Sequence, residues 1–213
     1  MTELEQEIFY YEAFLSDVAP SGILDMLQEI IISSHISTHT HLAKTACYVK
    51  VLAIELGFTE KCASIISCTS SLHDIAKISL PLSMLDKSSA LSEVEYNMVK
   101  RHTTLGHNIL SKGTNNGCRV AAEIALSHHE WFGGGGYPNG IRGYDIPLPA
   151  RITAVADVFE ALTDNRRYKE KWPVEKAFEY IETNENLQFD PDIVEAFLSI
   201  QDIISSLCIK NKK

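Results

Sequence analysis

Histidine and aspartate side chains occur in pairs at the ends of apolar stretches of this chain. His73–Asp74 follows the run ISCTSSL, and His128–His129 follows VAAEIALS. A buried imidazole next to a carboxylate is costly unless a partner satisfies both groups. A divalent cation does so, and imidazole with carboxylate suits manganese, iron or zinc. A histidine on its own is more often a core or surface residue, but the two pairs together predict a metal site.

The geometry of a helix limits what each pair can bind. If His73–Asp74 lies on a helix, the two side chains point about 100° apart, so the imidazole reaches one cation and the carboxylate a second. The pair His128–His129 can hold one metal only at a helix end, which the glycine-rich stretch after it supplies. Asp157 is another carboxylate in an apolar run, although an ordinary polar position of an amphipathic helix explains it equally well.

The elements that carry these residues are predicted to be helices, because apolar residues recur at spacings of three and four. Gly57 is the expected stop of one helix, and Ser92 with Glu95 forms a capping box that opens another. No alternating run predicts a strand, so the fold class is all-α. The one long irregular stretch covers residues 130–149. The predicted helices cover about 4–15, 23–31, 37–56, 59–77, 92–110, a segment through 121 and 126 after the loop at 113–117, 150–163, a segment from 174, and 191–207.

Composition excludes several classes of protein. The 213 residues are 45% hydrophobic, enough for one sizeable core. The net charge of −9 argues against a protein that follows a nucleic-acid polymer, which needs a basic surface. Five cysteines without a C-x-x-C pair favour reduced thiols. The start of the sequence is acidic, which is unlike a signal peptide, and no apolar run approaches the roughly 18 residues of a membrane span. We therefore expect a cytoplasmic protein.

Four segments carry a resemblance to a known family. HDIAK at 73–77, RHTTLGHNIL at 101–110, HHEWFGGGGYPNG at 128–140 and IPLPARITAVADVFEALTDNRRYK at 146–169 are similar to the motifs of the HD-GYP family. This is the branch of the HD phosphohydrolase superfamily associated with hydrolysis of cyclic di-GMP in bacterial signalling. The resemblance covers about residues 35–205. It implies a helical HD-domain bundle with a long glycine-rich GYP loop, and we expect an N-terminal helical extension at 1–34 and an HD-GYP domain at 35–213.

The family's metal ligands map onto seven residues of this chain. The resemblance implies that one metal is bound by His41, His73, Asp74 and Asp157, and a second by Asp74, His102, His128 and His129, with Asp74 as the bridge. Iron or manganese is the expected metal. Many members carry a glutamate four residues before the first of these histidines, and Ser37 occupies that position here. Because that glutamate supports a third metal in some members, we expect two metals.

The resemblance also implies a reaction. A hydroxide bridging the two metals would attack a phosphodiester of cyclic di-GMP, giving pGpG and, on further cleavage, GMP. Asp74 and Lys77 are the expected catalytic residues; Lys77, four residues after His73, would share a helical face with it and contact a phosphate oxygen. Arg166, Lys169 and Tyr137 are the expected substrate-binding residues. The resemblance implies that Arg166 and Lys169 hold phosphate, which guanidinium and ammonium groups bind, and that Tyr137 lies near the nucleotide.

Two other functions remain open, as do the partners. The same site could hydrolyse a related cyclic dinucleotide such as cyclic GMP-AMP. Alternatively, the domain could be catalytically weak and sense the nucleotide or recruit a partner such as a GGDEF-type protein. The complete set of seven ligands argues against such a catalytically weak domain. Besides the substrate, the candidate partners are that GGDEF-type protein and a second copy of the chain; no nucleic-acid polymer and no membrane is expected.

Overall fold

The computed structural model describes residues 1–18, 29, 33, 39–85, 87, 89–164 and 171–210, apart from a few side chains. Within these ranges the chain is helical, and the all-α prediction is confirmed. The longer helices are α1 (Glu3–Phe14), α2 (His39–Glu55), α3 (Glu60–Ser70), α4 (Leu82–Leu85), α5 (Glu93–Lys100), α6 (His102–Leu110), α7 (Asn116–Ser127), α8 (Leu148–Thr163), α9 (Val174–Thr183), α10 (Pro191–Ser199) and α11 (Gln201–Lys210). Short 3₁₀ helices cover Ile75–Ser79 and Gly143–Asp145.

The helices enclose one main core and a smaller apolar cluster. In the main core, Tyr48 of α2 and the phenylalanines Phe159 and Phe197 are fully buried. Helix α2 lies against α3 and α8, and α9, α10 and α11 close the far side. The smaller cluster includes Leu72 and Leu110, and it packs α6 against α7 beneath the histidine pairs. Leu72, which directly precedes His73, is thus held in a tightly packed cluster.

Several local predictions are confirmed. Helix α2 ends before Gly57, whose φ of +104° is a conformation that favours glycine. The side chain of Ser92 accepts from the N–H of Glu95, and the Glu95 carboxylate accepts from the N–H of Ser92, so the capping box is present. Residues 130–149 lack regular structure except for one 3₁₀ turn and the first residues of α8.

Three predicted helices are divided in the structure. The helix expected at 59–77 ends at Ser70, and the helix expected at 92–110 is interrupted at Arg101. The hydroxyls of Thr69, Ser70 and Ser71 donate to carbonyls three residues earlier and so compete with helical backbone bonds. The segment expected at 191–207 breaks at Ile200.

The N-terminal helix packs on the main core rather than apart from it. Tyr11 and Leu15, from α1 and the residue after it, are both buried there. The helix predicted at 23–31 lies outside the described residues apart from residue 29, and so does the expected domain boundary between residues 34 and 35. Among the residues that the structure does describe, no helix is both long and apolar enough to cross a membrane.

Candidate metal centre

The turn after α3 places His73 and Asp74 at the centre of the fold. The carbonyl oxygen of Ser70, the last residue of α3, accepts from the backbone N–H of His73 at 3.1 Å and from Nδ1 of the same residue at 2.7 Å. A carbonyl can only accept, so the proton sits on Nδ1 and Nε2 points the other way. This Nε2 atom is buried and makes no hydrogen bond. His73 is therefore oriented as a metal ligand would be.

His102 and His128 are oriented in the same manner. Nδ1 of His102 donates to the carbonyl of Val99 at 2.6 Å, and Nδ1 of His128 donates to the carbonyl of Ile124 at 3.0 Å. Their two Nε2 atoms lie 3.4 Å apart. With both Nδ1 atoms protonated, two lone pairs face each other, an arrangement that a cation between them stabilises.

Asp74 lies between two groups of nitrogen ligands. Its Oδ2 is 3.3 Å from Nε2 of His73, and its Oδ1 is 3.3 Å from Nε2 of His102 and 3.9 Å from Nε2 of His128. Oδ1 is buried without a hydrogen bond. The two groups are His41, His73 and Asp74, and His102, His128 and His129; within each, the ligand atoms lie within 4.8 Å of one another.

Asp157 of α8 joins the first group. Its Oδ1 lies 3.8 Å from Nε2 of His41 and 3.7 Å from Nε2 of His73. The structure thus brings all seven residues that the sequence singled out to one place. They form two groups, and Asp74 faces both of them.

Glu160 is a member of the site that the sequence reasoning missed. Its Oε2 makes a short hydrogen bond to Nδ1 of His41, and the residue is 1% exposed. A carboxylate that fixes the outer nitrogen of a ligand histidine orients the ring and makes it more basic. Glu160 lies three residues after Asp157, on the same face of α8. The sequence does carry a signal that could have identified Glu160, namely a second acidic residue three positions after Asp157 in an apolar helix.

The protonation states of most of these groups suit a cation. Burial lowers the pKa of His128 to about 3 and that of His129 well below its usual range, so both are neutral. Burial raises the pKa of Asp74, but Lys77 and His73 outweigh it and hold that pKa well below its usual range. For His73, burial lowers the pKa, but Asp74 and Asp157 outweigh it and raise the value to about 9. A bound cation would displace this proton.

The residues therefore fit divalent metal ions. Imidazole nitrogens and carboxylate oxygens are the donors that first-row divalent metals accept. The buried, unsatisfied Nε2 of His73 and Oδ1 of Asp74 are the atoms that a cation would satisfy.

Among the residues predicted to contact the substrate, the structure describes Lys77 and Tyr137. Lys77 does not share an α-helical face with His73, because residues 71–74 form a turn and 75–79 a 3₁₀ helix; its ammonium instead donates to Oδ2 of Asp74. Tyr137 stacks on His129, with ring centroids 4.7 Å apart and planes at 29°. Arg166, Lys169 and Ser37 lie outside the described residues.

The glycine-rich loop is tied to the end of α7. The buried Glu130 accepts from the backbone N–H groups of Asn139 at 2.7 Å and Gly140 at 3.1 Å. The N–H of Tyr137 donates to the carbonyl of His129 at 3.1 Å. At Gly136 a Cβ atom would lie 2.4 Å from the nitrogen of Trp131, so only glycine fits. These contacts hold Tyr137 against the second ligand group.

Fold and site together match a known class of protein. A profile of the HD domain family matches residues 25–193. The chain belongs to the HD domain family. Its predicted membership of the HD-GYP branch is confirmed.

Curated relatives and a solved structure agree with this assignment. A cyclic di-GMP phosphodiesterase of Thermotoga maritima is 38% identical over 202 residues, which cover 95% of this chain and 54% of the relative. The 3'3'-cGAMP-specific phosphodiesterase 2 of Vibrio cholerae is 39% identical, with 78% of this chain and 32% of the relative covered. This chain therefore spans about half or less of their length. In fold it resembles Bd1817, an HDG"Y"P protein from Bdellovibrio bacteriovorus, with a TM-score of 0.62 at 17% identity, covering 95% of this chain and 62% of that one.

Proposed function

We propose that this chain is a metal-dependent phosphodiesterase that hydrolyses cyclic di-GMP to pGpG, with GMP as the product of any further cleavage. The observation that carries the proposal is the position of Asp74, whose two carboxylate oxygens face two separate groups of ligand atoms. Two divalent cations at such a site supply an activated water and neutralise charge on a phosphoryl group. The relative from Thermotoga maritima, which matches 95% of this chain, bears the name of that activity.

Each ligand has a proposed place. His41, His73 and Asp157 hold the first cation, and His102, His128 and His129 hold the second, while Asp74 contacts both. Manganese or iron is the proposed metal because both accept this mixture of nitrogen and oxygen donors. We further propose that residues 1–34 are an extension of an HD-GYP domain at 35–213. The proposed setting is the bacterial cytoplasm, with a GGDEF-type protein or a second copy of the chain as partner.

The number of metals is a testable consequence of Ser37. Because a serine stands where a third metal would need a glutamate, we expect two metals per chain after full loading. Metal analysis by mass spectrometry on protein reconstituted with Mn(II) measures this stoichiometry. Three tightly bound ions would contradict the assignment. Ser37→Glu is the matched variant, and it should raise the stoichiometry.

Glu160 is proposed to position His41. Glu160→Gln should weaken binding of the first cation about 10- to 100-fold, since the outer partner of a ligand histidine contributes that much to metal affinity. A calorimetric titration with the metal ion measures the affinity of each of the two sites and does not depend on turnover. Glu179→Gln, which changes an exposed acid on α9, is the control and should bind both ions normally. Equal weakening at both sites would contradict the role of Glu160.

Arg166 and Lys169 are proposed to hold phosphate, Tyr137 to contact the nucleotide, and Lys77 to contact the phosphoryl group. Arg166→Ala should keep its metal and lose about 10- to 150-fold in kcat/KM on cyclic di-GMP, the value of one charge-assisted contact. Lys77→Ala should lower kcat more than it raises KM. Steady-state kinetics with metal content checked in each variant tests both. Wild-type kcat/KM in metal-loaded Arg166→Ala would refute its phosphate contact.

A product assay decides the substrate. Metal-loaded protein is incubated with cyclic di-GMP, 3'3'-cyclic GMP-AMP and cyclic di-AMP, and the products are separated by chromatography. The proposal expects cyclic di-GMP to have the highest kcat/KM. Preference for cyclic GMP-AMP would assign the related activity. Tight binding without any hydrolysis, unchanged after metal removal, would indicate a sensing domain instead.

A further inference from the structure

A lysine close to the candidate metal ligands has no acidic partner among the residues that the structure describes. Lys100 is the last residue of α5, two residues before His102. Its ammonium lies over the faces of two tyrosine rings, 4.9 Å from the ring centroid of Tyr96 and 5.8 Å from that of Tyr137, as a cation–π contact. Within the described part of the chain it forms no ion pair, although Lys77 and Lys87 both do. Lys100 therefore retains donors for a ligand.

The rings beside Lys100 make an aromatic surface that continues to the metal ligands. Tyr96 lies one turn before Lys100 on the same face of α5, and the residue is 48% exposed. Tyr96 meets Tyr137 edge to face at a centroid distance of 6.4 Å, and Tyr137 stacks on His129. The planes of Tyr96 and Tyr137 lie at 74°, so a base that stacks on Tyr96 stands beside a group bound near His129 rather than in line with it.

The chemistry of this surface suits a purine base. Exposed tyrosine rings stack on nucleobases whatever the base. A lysine ammonium has three donors and no acceptor. Guanine offers two acceptors on one edge, N7 and O6, whereas adenine replaces the second by an amino donor. A lysine at the edge of a stacked base therefore favours guanine over adenine.

We propose that Lys100 and Tyr96 form a guanine-selective base site beside the metal centre, in which the base stacks on Tyr96 and the Lys100 ammonium shifts from the face of that ring to the edge of the base, where it donates to the O6 and N7 atoms. This inference rests on the proposed function, because it takes the substrate to be a cyclic dinucleotide. It goes further by naming the residues that distinguish guanine from adenine. Lys100 here is a specificity residue, and the phosphodiester is still cleaved at the metal centre.

The test compares three substrates on metal-loaded protein. Cyclic di-GMP and cyclic di-AMP differ in their bases, and bis(p-nitrophenyl) phosphate has a phosphodiester without any base. Lys100→Met should lower the ratio of kcat/KM for cyclic di-GMP to that for cyclic di-AMP about 5- to 150-fold. It should leave metal content and cleavage of bis(p-nitrophenyl) phosphate unchanged. Lys100→Arg should keep the preference for guanine, because arginine also donates to O6 and N7.

Matched variants separate this role from general charge and from folding. Lys112→Met removes an exposed lysine just beyond the opposite end of α6 and should leave the ratio unchanged. Tyr96→Ala should weaken the binding of both cyclic dinucleotides by a similar factor, about 5- to 150-fold, which is what the stacking of one base contributes. Tyr96→Phe keeps the ring and should bind both nucleotides as the wild type does.

Three results would overturn the inference. One is an unchanged ratio of the two kcat/KM values in Lys100→Met. Another is an equal fall in kcat/KM for both cyclic dinucleotides in that variant, which would indicate a phosphate contact. The third is a fall of the ratio in Lys112→Met as large as that in Lys100→Met. Calorimetric dissociation constants for the two nucleotides measure the preference for guanine in binding, even without turnover. Selective binding that depends on Lys100, with no hydrolysis, would therefore support this inference while refuting the proposed function.

Discussion

Asp74→Asn is expected to remove both metal ions and to abolish hydrolysis of cyclic di-GMP. The carboxylate of Asp74 lies 3.3 Å from Nε2 of His73 through one oxygen and 3.3 Å from Nε2 of His102 through the other. Asparagine keeps the shape but loses the negative charge and one acceptor oxygen. Because removal of a single electrostatic stabiliser costs about 10²- to 10³-fold, and here both cations lose a ligand, we expect kcat/KM to fall by at least about 10³-fold.

Two further variants sharpen this test. Asp157→Asn should weaken mainly the first cation, since Asp157 lies near His41 and His73 only. Asp202→Asn changes an exposed carboxylate on α11 and should behave as wild type. Metal analysis and steady-state kinetics are made on the same samples, with circular dichroism to verify folding. Two bound metals with normal turnover in Asp74→Asn would show that the binuclear assignment is wrong.

The second large effect is expected on stability, from Arg151. This residue is 4% exposed, and its guanidinium forms ion pairs with Glu7 of α1 and with Asp190, which caps α10. Its Nε also donates to the carbonyl of Ile146 at 2.8 Å. Arg151→Leu leaves the buried carboxylate of Asp190 and the half-buried carboxylate of Glu7 without their partner, which costs about 3–5 kcal/mol of the free energy of unfolding.

Urea unfolding followed by circular dichroism measures this loss. Arg119→Leu replaces an exposed arginine on α7 that forms no ion pair among the described residues, and it should change stability by about 0.5 kcal/mol or less. Adding Glu7→Gln and Asp190→Asn to Arg151→Leu should recover part of the loss, because no unpaired charge is then buried. A loss below about 1 kcal/mol in Arg151→Leu would contradict the buried network.

Local patterns in the sequence were enough to predict most of the helices. The stop at Gly57 and the capping box at Ser92 depend on residues within a few positions, so their physics is visible in the sequence. The boundaries that failed involve competition between local groups. The end of α3 at Ser70 is an example. Three carbonyls there accept from side-chain hydroxyls, which compete with backbone N–H groups for them, and the residue types alone do not predict which donor is preferred.

Long-range contacts could not be predicted in the same way. Glu7 and Arg151 are 144 residues apart, and no periodicity indicates that they pair. The contact between Glu160 and His41 also joins distant helices, but its spacing from Asp157 was a usable signal. The grouping of the seven candidate ligands was implied by family resemblance. Residue types alone predicted a metal near His73–Asp74 and His128–His129, but they did not decide whether Asp157 is a ligand.

The most direct test of the central claim is a titration of metal-free protein with Mn(II) under anaerobic conditions, repeated with Fe(II). Bound metal and conversion of cyclic di-GMP to pGpG are measured in each sample. Hydrolysis should appear as the second equivalent binds, and chelation should abolish it. No hydrolysis with two ions bound, or full hydrolysis with none, would contradict a binuclear phosphodiesterase centred on Asp74.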